Sequence, residues 1–264
     1  MVTERADIDL WRRILDADLP SHGYATERQD WPGAAVFTST RGDDFSIAVL
    51  QQSAPDAADA LLERIVTYYS DLGLTPVVRV TPLSAPSDWP QRLVARGFAM
   101  TDASETFMRL AGPFRGAPQP GIDVRRAPEA ADLADFVATQ LVGFGSDDPV
   151  DFWIAQALRN RERGDYRFLV AYLENQPVGA LSACFGPGVV GLYGLATLSP
   201  YRGRGVGTTL LAAIIDEARQ RGADLVFLSA HPDSAALRLY ERLGFAALFT
   251  ADTYALSSPS SPGA

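Results

Sequence analysis

The residues with the plainest chemical potential are Arg202-Gly203-Arg204-Gly205-Val206-Gly207-Thr208, alternate glycines with two arginines among them, followed at once by good helix formers. The first N–H groups of a helix lack intrahelical partners and carry the positive end of its dipole. An anion with several oxygens can use both. Glycine lets the backbone approach closely and take positive φ, turning successive N–H groups inward, and Arg202 and Arg204 add full charges. This is the chemistry of a phosphate or pyrophosphate cradle. Three such loops compete. A P-loop requires a Lys-Ser/Thr pair after its glycines, which is absent here. A dinucleotide fingerprint requires a third glycine two residues further on and an acid ending the next strand; Asp224 lies near the right distance but precedes its strand. The third pattern, Arg/Gln-x-x-Gly-x-Gly/Ala, is met by Arg202, Gly205 and Gly207. Against all three stands a turn that only caps a helix.

The elements that must position this loop follow from periodicity. Ile122 to Arg126 reads as a strand, Pro128 to Val142 as a helix with Leu133, Phe136, Val137 and Leu141 on one face, and Pro149 to Arg163 as a second helix. Arg167 to Leu173, Val178 to Phe185 and Val189 to Leu198 are three strands with short turns, hence antiparallel. After the loop, Val206, Leu210, Leu211, Ile214, Ile215 and Ala218 repeat at helical spacing over Val206 to Arg221, with Gly222 as C-terminal cap. Leu225 to Leu228 is a strand parallel to the one before the loop. Ser234 to Leu243 is a helix, and Phe245 to Phe249 and Thr253 to Leu256 are the final strands. The first half echoes this order: a hairpin from Ala34 to Ser39 and Phe45 to Leu50, a helix from Ala60 to Tyr69, a strand from Val77 to Val80, and Arg92 to Ala99 similar to Arg238 to Ala246. Where the second half has its glycines the first has Ser53 to Asp59, shorter and acidic.

The loop resembles the coenzyme-A pyrophosphate loop of the GCN5-related N-acetyltransferase (GNAT) superfamily. The preceding Leu195-Ala196-Thr197-Leu198-Ser199-Pro200-Tyr201-Arg202-Gly203 is similar to the strand end that leads into it. The segment Asp233 to Phe245 resembles the family's Asn-x-x-Ala-x-x-x-Tyr-x-x-x-Gly-Phe, matched at Ala236, Tyr240, Gly244 and Phe245, with Asp233 at the Asn position as a departure. The likeness spans roughly Gly121 to Leu256. It implies a bulge near Leu195 to Thr197 whose backbone groups at Leu195, Ala196 and Thr197 bind the pantetheine arm. It implies a pyrophosphate held by Arg202, Gly203, Arg204, Gly205, Val206, Gly207 and Thr208, with Asp233 at a pantetheine contact and Tyr240 as the acid for the leaving thiolate. Acetyl-CoA is then the co-substrate, with no metal, and the reaction is direct transfer of an acetyl group to a primary amine of a small molecule or peptide. The alternative is a non-catalytic acyl-CoA-binding or sensing protein, favoured by Asp233 and by the lack of a carboxylate on Leu192-Tyr193-Gly194-Leu195.

The expected fold class is α/β (α+β): a mixed, mostly antiparallel central sheet flanked by helices on both faces, in two lobes. Residues 1–111 form a degenerate GNAT-like first domain, 112–121 a Pro/Gly-rich linker, 122–256 the acetyltransferase domain and 257–264 a disordered tail. In layout alone this resembles two-domain acetyltransferases of the mycothiol synthase type. Other residues carry weaker readings. Tyr193 or Thr197 could order a water, although sheet packing suits Tyr193 better. Asp147 and Asp148 could draw a cationic amine, although a solvated loop with Asp148 at a helix start is preferred. Phe144, Phe152 and Trp153 could line an acceptor pocket, although apolar residues at helical spacing are usually core. His231 reads as incidental and Cys184 as buried packing.

Composition sets the outer bounds. The chain has 264 residues, 47% apolar and 21% charged, with one cysteine, two histidines and a formal net charge of −9. A normal globular balance supports a sizeable core. A single Cys allows no internal disulfide and fits a reducing cytoplasm, and one Cys with two His makes zinc improbable. The acidic balance argues against nucleic-acid or anionic-membrane partners. No run is apolar enough to span a membrane, and Met1 to Leu10 has no signal-peptide h-region. Oligomeric state is left open.

Overall fold

The computed structural model describes residues 2–19, 27–39, 41–42, 45–127 and 130–257. The expected disordered tail lies outside them from residue 258 onward, as does the Pro128 helix start. In chain order the elements are α1 (Val2–Asp18), β1 (Glu27–Trp31), β2 (Ala34–Thr38), β3 (Ile47–Leu50), α2 (Ala58–Asp71), β4 (Val77–Val80), α3 (Trp89–Ala95), β5 (Phe98–Met100) and β6 (Glu105–Leu110). Then follow β7 (Ile122–Arg126), α4 (Ala130–Phe144), α5 (Val150–Arg163), β8 (Asp165–Leu173), β9 (Gln176–Gly186), β10 (Val189–Thr197), α6 (Val206–Gln220), β11 (Leu225–Ala230), α7 (Ala235–Leu243) and β12 (Phe245–Leu256).

The strands join in one twisted sheet of order β1-β2-β3-β4-β12-β6-β11-β10-β9-β8-β7, with β5 pairing β12 off this path. Among the described strands only β3–β4 and β10–β11 run parallel, and helices cover both faces. Each parallel pair is bridged by a helix, α2 or α6, so the expected echo between halves is real in topology. The final residues, expected as two strands, form a single long β12. A register shift between Ala247 and Phe249 bends it rather than ending it, because a bulge re-aims a strand without breaking the chain's pairing.

That bend has a large consequence. The first part of β12 pairs with β6, and its last part pairs with β4 and β5. Strand β6, which precedes residue 111, itself sits between β12 and β11. Each half therefore lends a strand to the other, and the strand order crosses the expected boundary three times, at β4–β12, β12–β6 and β6–β11. Phe107 of β6 stacks between Phe249 and Phe227, at centroid distances of 4.9 and 6.4 Å. The segment 112–121 is laid down on the second half: Arg115 N donates to Leu243 O at 2.9 Å and Gln119 N donates to Thr209 Oγ1 at 3.0 Å.

Alternation along the central strands sends their side chains into different clusters on the two sheet faces. Leu192, Leu228, Met108 and Tyr240 lie with α6 residues Leu210, Leu211, Ile214 and Ile215 on one face. Phe107, Phe227 and Phe249 lie with Ile14 of α1 on the other, where Tyr193 joins them. The helical spacing read for α4 is met by burial of Leu133, Phe136, Val137 and Leu141.

Candidate functional site

Strands β10 and β11 pair only from Val189 to Leu192 and from Leu225 to Leu228. Beyond that point β10 runs on to Thr197 and β11 to Ala230 without meeting. The cause is local. The β10–β9 register slips between Tyr193 and Ala196, leaving Gly194 and Leu195 as an extra residue's worth of chain. Gly194 takes φ +60°, and its carbonyl accepts a hydrogen bond from Gln140 Nε2 of α4 at 2.6 Å. The bulge expected near Leu195 to Thr197 is thus centred one residue earlier. Of the three residues named for it, Leu195 lies in the bulge, whereas Ala196 and Thr197 have rejoined the β9 ladder.

The glycine loop leaves the end of β10 through a single turn, Ser199–Tyr201. Helix α6 begins after Gly205, which sits left-handed at φ +78° and ψ +10°, with no side chain capping the helix and no acid in its first turn. The N–H groups at Val206, Gly207 and Thr208 therefore start the helix without a side-chain acceptor. A Cβ on Gly205 would lie 2.3 Å from Gln119 Cγ, so the docked linker adds a packing reason for glycine to the backbone one. Gly203, at φ +74°, faces open space. The two arginines differ from each other. Arg204 is exposed and reaches over the Tyr201 ring at 5.7 Å. Arg202 instead ties carbonyls together: Nε donates to Thr197 O at 3.2 Å and Nη2 to Gly143 O at 3.3 Å. It fastens the end of β10 to the end of α4, a structural task alongside the anion contact read from its charge.

Between the parted strands lies a cleft of about 660 Å³. It passes from one sheet face to the other, because it is lined by Leu192, Leu228 and Tyr240 of the α6-side core and by Tyr193 and Ser229 beyond the gap. Tyr240 is buried on α7, whose start is capped by Ser234 Oγ accepting from Leu237 N at 3.1 Å. Burial pushes its phenol up to about 12, so it keeps its proton at neutral pH. Asp233 is exposed, with φ +60°, and its carbonyl accepts from Arg238. It stands just before α7 at the rim, whereas Ser234 and Ala236 line the cleft itself.

On the far face the cleft meets residues the sequence placed elsewhere. Asp148 lies near the start of α5, as expected, but one residue before the N-cap, Pro149, so it does not cap the helix. Asp148 is instead paired with Arg41 and accepts from Trp153 Nε1. Phe144 is 63% exposed and lines the cleft with Trp153 rather than filling a core. Phe152 lies under Arg41 at 4.8 Å. Tyr193 packs edge-on against Phe227, as the sheet-packing reading required. Cys184 is half-buried, and desolvation pushes its thiol up, which makes it a poor nucleophile. His231 is exposed at the cleft rim. Four lining residues, Asp18, Phe45, Arg79 and Glu105, come from the first half. None was singled out from sequence. The one signal was Arg79, a charge inside the otherwise apolar Val77-Val78-Arg79-Val80. Among the described residues no group of three or more His, Cys, Asp or Glu is placed to hold a metal ion, and no helix is long and apolar enough to cross a membrane.

In architecture this is the fold of N-acetyltransferase structures. A GCN5-related N-acetyltransferase from Kribbella flavida superposes with a TM-score of 0.71 over 96% of this chain and 95% of its own, at 19% identity. A GCN5-related N-acetyltransferase from Sphaerobacter thermophilus gives 0.66 over 86% and 78%, at 17% identity. A tandem GNAT protein from the clavulanic acid biosynthesis pathway gives 0.61 over 86% and 80%, at 14% identity. At the level of sequence, residues 132–245 match the family model described as Acetyltransferase (GNAT) family. N-alpha-acetyltransferase 30 of Schizosaccharomyces pombe is 44% identical over 52 residues, 19% of this chain; the match spans about a third, 35%, of that protein.

Proposed function

We propose that the protein transfers an acetyl group from acetyl-CoA to a primary amine of a small molecule or peptide, by direct transfer in the cleft between β10 and β11. The observation that carries this reading is the parting of two otherwise parallel strands beside a glycine-started, uncapped helix, with a buried tyrosine in the gap. The residues fit the co-substrate: α6 offers free N–H groups and positive dipole to a pyrophosphate, Gly203 faces open space, left-handed Gly205 starts the helix without a side chain of its own, and Arg204 adds an exposed cation. The bulge supplies backbone groups outside the ladder for an amide-bearing arm.

Acetyl-CoA would supply an activated acyl carbon on a sulfur leaving group. The chain's part is to hold and to move a proton. The bulge and the walls of the gap align the reacting carbon with the chamber beyond, so two reactants meet as one. Tyr240, protonated at neutral pH, stands on the α6 face, where its Oη can donate a hydrogen bond and then its proton to the departing sulfur. No carboxylate lies on β10 at the bulge, so an amine that arrives charged gives its proton to water.

Calorimetry of acetyl-CoA binding tests this. Wild type is expected to bind, and Gly205→Asp to lose binding at least a hundredfold. Because that substitution also strains φ and meets Gln119, Arg204→Glu serves as the second variant: exposed, sterically mild, and expected to weaken binding roughly tenfold. Wild-type protein that binds no acetyl-CoA would overturn the reading. Binding without turnover of any amine, unchanged by Tyr240→Phe, would favour the sensing alternative.

A further inference from the structure

The cleft's far chamber has an unusual division of labour, and it points to the kind of acceptor that enters. Its walls are apolar and aromatic: Phe136, Leu141 and Phe144 from α4, Trp153 from α5, and Phe45 from the first half. Phe45 and Trp153 meet edge to face at 5.5 Å and close the chamber across the two halves. On the α4–α5 side the polar lining is Gln140, Ser146, Asp148 and Asn160, and two of these are already committed. Gln140 holds the bulge carbonyl, and Asp148 holds Arg41 and the Trp153 indole.

The other end is different. Glu105, at the start of β6, is held by two donors. Ser229 Oγ of β11 donates to Oε1 at 3.0 Å, and Arg79 Nη2 of β4 lies 3.1 Å from Oε2. An ionised carboxylate has about four lone-pair sites, so two donors leave room for more. The Glu105 side chain is 34% exposed, while Arg79 is only 9% exposed. Arg79 Nε is buried without a hydrogen-bond partner among the described residues. A guanidinium that deep needs its carboxylate beside it, since a buried charge left unpaired is strongly unfavourable. Glu105 is therefore fixed in place, with its remaining acceptor capacity turned to the cleft. It stands beside Ser229, one residue beyond the last β10–β11 pair, on the opposite sheet face from Tyr240.

Resting on the acetyl-transfer reading, we propose that the acceptor is a primary amine carried on an apolar body of about aromatic-ring size. The body lies against Phe136, Phe144 and Trp153, and the amine is received by Glu105, a binding residue supplied by the first half. A polyhydroxylated acceptor would lose its hydration against the aromatic walls of Phe136, Phe144 and Trp153, which offer its hydroxyls few partners in return. A polycation would lay its remaining charges along the aromatic walls, where the other acids lining the cleft are Asp18, which is buried, and Asp148, which is paired with Arg41.

The test compares 2-phenylethylamine, spermidine and glucosamine, by equilibrium binding to the CoA-saturated protein and by acetylation rate. 2-Phenylethylamine is expected to bind, and to be acetylated by kcat/KM, at least tenfold better than the other two. Glu105→Gln should raise its KM and its Kd about tenfold while acetyl-CoA affinity stays unchanged. The double variant Arg79→Met/Glu105→Gln, which leaves no unpaired buried guanidinium, should show the same loss. Preference for spermidine or glucosamine overturns the proposal, as does unchanged amine affinity in a folded double variant. Acetyl-CoA affinity measured on the same samples separates the two failures: its absence overturns the acetyl-transfer reading, and its presence without preference for 2-phenylethylamine overturns the acceptor proposal alone.

Discussion

In the first half, the chain beyond β3 stays bonded to the segment that follows β4, so the pair is sealed. Gln52 bridges to Ala85, Ala85 N donates to Gln51 O, Ser53 N donates to Ala85 O, and Ser84 Oγ donates to Leu50 O. In the second half, the equivalent pair, β10 and β11, parts after Leu192 and Leu228. The helices that follow differ in the same sense. Helix α2 carries Asp59 in its first turn, paired with Arg92 at 3.0 Å, so its positive end is already answered by an acid. Helix α6 has a left-handed glycine before it and no acid. Both units trace one path through a parallel strand pair and its helix, yet only one has a gap and an open helix start. Topology sets where a slot can be; a bulge on one strand, and the lack of a loop to stitch the pair shut, set whether it is there. The first half, without a slot, instead supplies β6 and the far wall of the other half's cleft.

The largest expected effect concerns the group that has no counterpart in the first half. Tyr240→Phe should lower kcat by roughly 10² to 10⁴, the range of general acid catalysis, while acetyl-CoA affinity stays within about twofold by calorimetry. An unchanged kcat would remove the functional contrast between the halves. Next, the exchange of strands predicts that the halves melt together. Phe107→Ala empties the stack between Phe249 and Phe227 and should cost about 3–5 kcal/mol, with a single calorimetric transition before and after; two separated transitions would show the halves to be independent units.

A smaller effect sharpens the comparison from the other side. Ser84→Ala removes the hydroxyl that accepts from Thr81 N and donates to Leu50 O. Losing it should cost about 1–3 kcal/mol, the price of buried partners left unpaired. The stoichiometry of acetyl-CoA should stay at one per chain, and a second equivalent bound would mean that the sealed pair can open. The smallest effect is a pH dependence. Tyr240 is raised in the folded chain to about 12, above the ordinary phenol value near 10. The stability it contributes is fully present below about pH 10 and is lost as pH rises through about 12. For the same reason the transfer rate should not fall between roughly pH 8 and 10; a fall there that Tyr240→Phe abolishes would place its titration lower.

Much of the fold was legible because it rests on short-range patterns. The apolar spacing of α6, the run of β8, β9 and β10 with their tight turns, and the Gly244 stop after α7 each follow from residues a few positions apart. Helix α1 and strands β1, β5 and β6 went unread. The Glu105–Leu110 run looks like many short strands, and nothing in it says that it will slip between two strands of the other half. The final strand was split in two because a bulge leaves no local mark that distinguishes it from a turn.

The site divides in the same way. Sequence alone determined the glycine-started helix, its arginines, and a tyrosine four residues before a glycine cap, since helix starts and stops are decided by the conformational freedom and capping chemistry of neighbouring residues. Tertiary structure decided that Arg202 ties two carbonyls, that Asp148 pairs with Arg41, and that Glu105 and Arg79 stand in the cleft. Arg202 is 59 positions from Gly143, Asp148 is 107 from Arg41, and Glu105 is 124 from Ser229. Their roles arise from strand pairing across the two halves, and that pairing depends on the packed sheet as a whole, which no local pattern encodes.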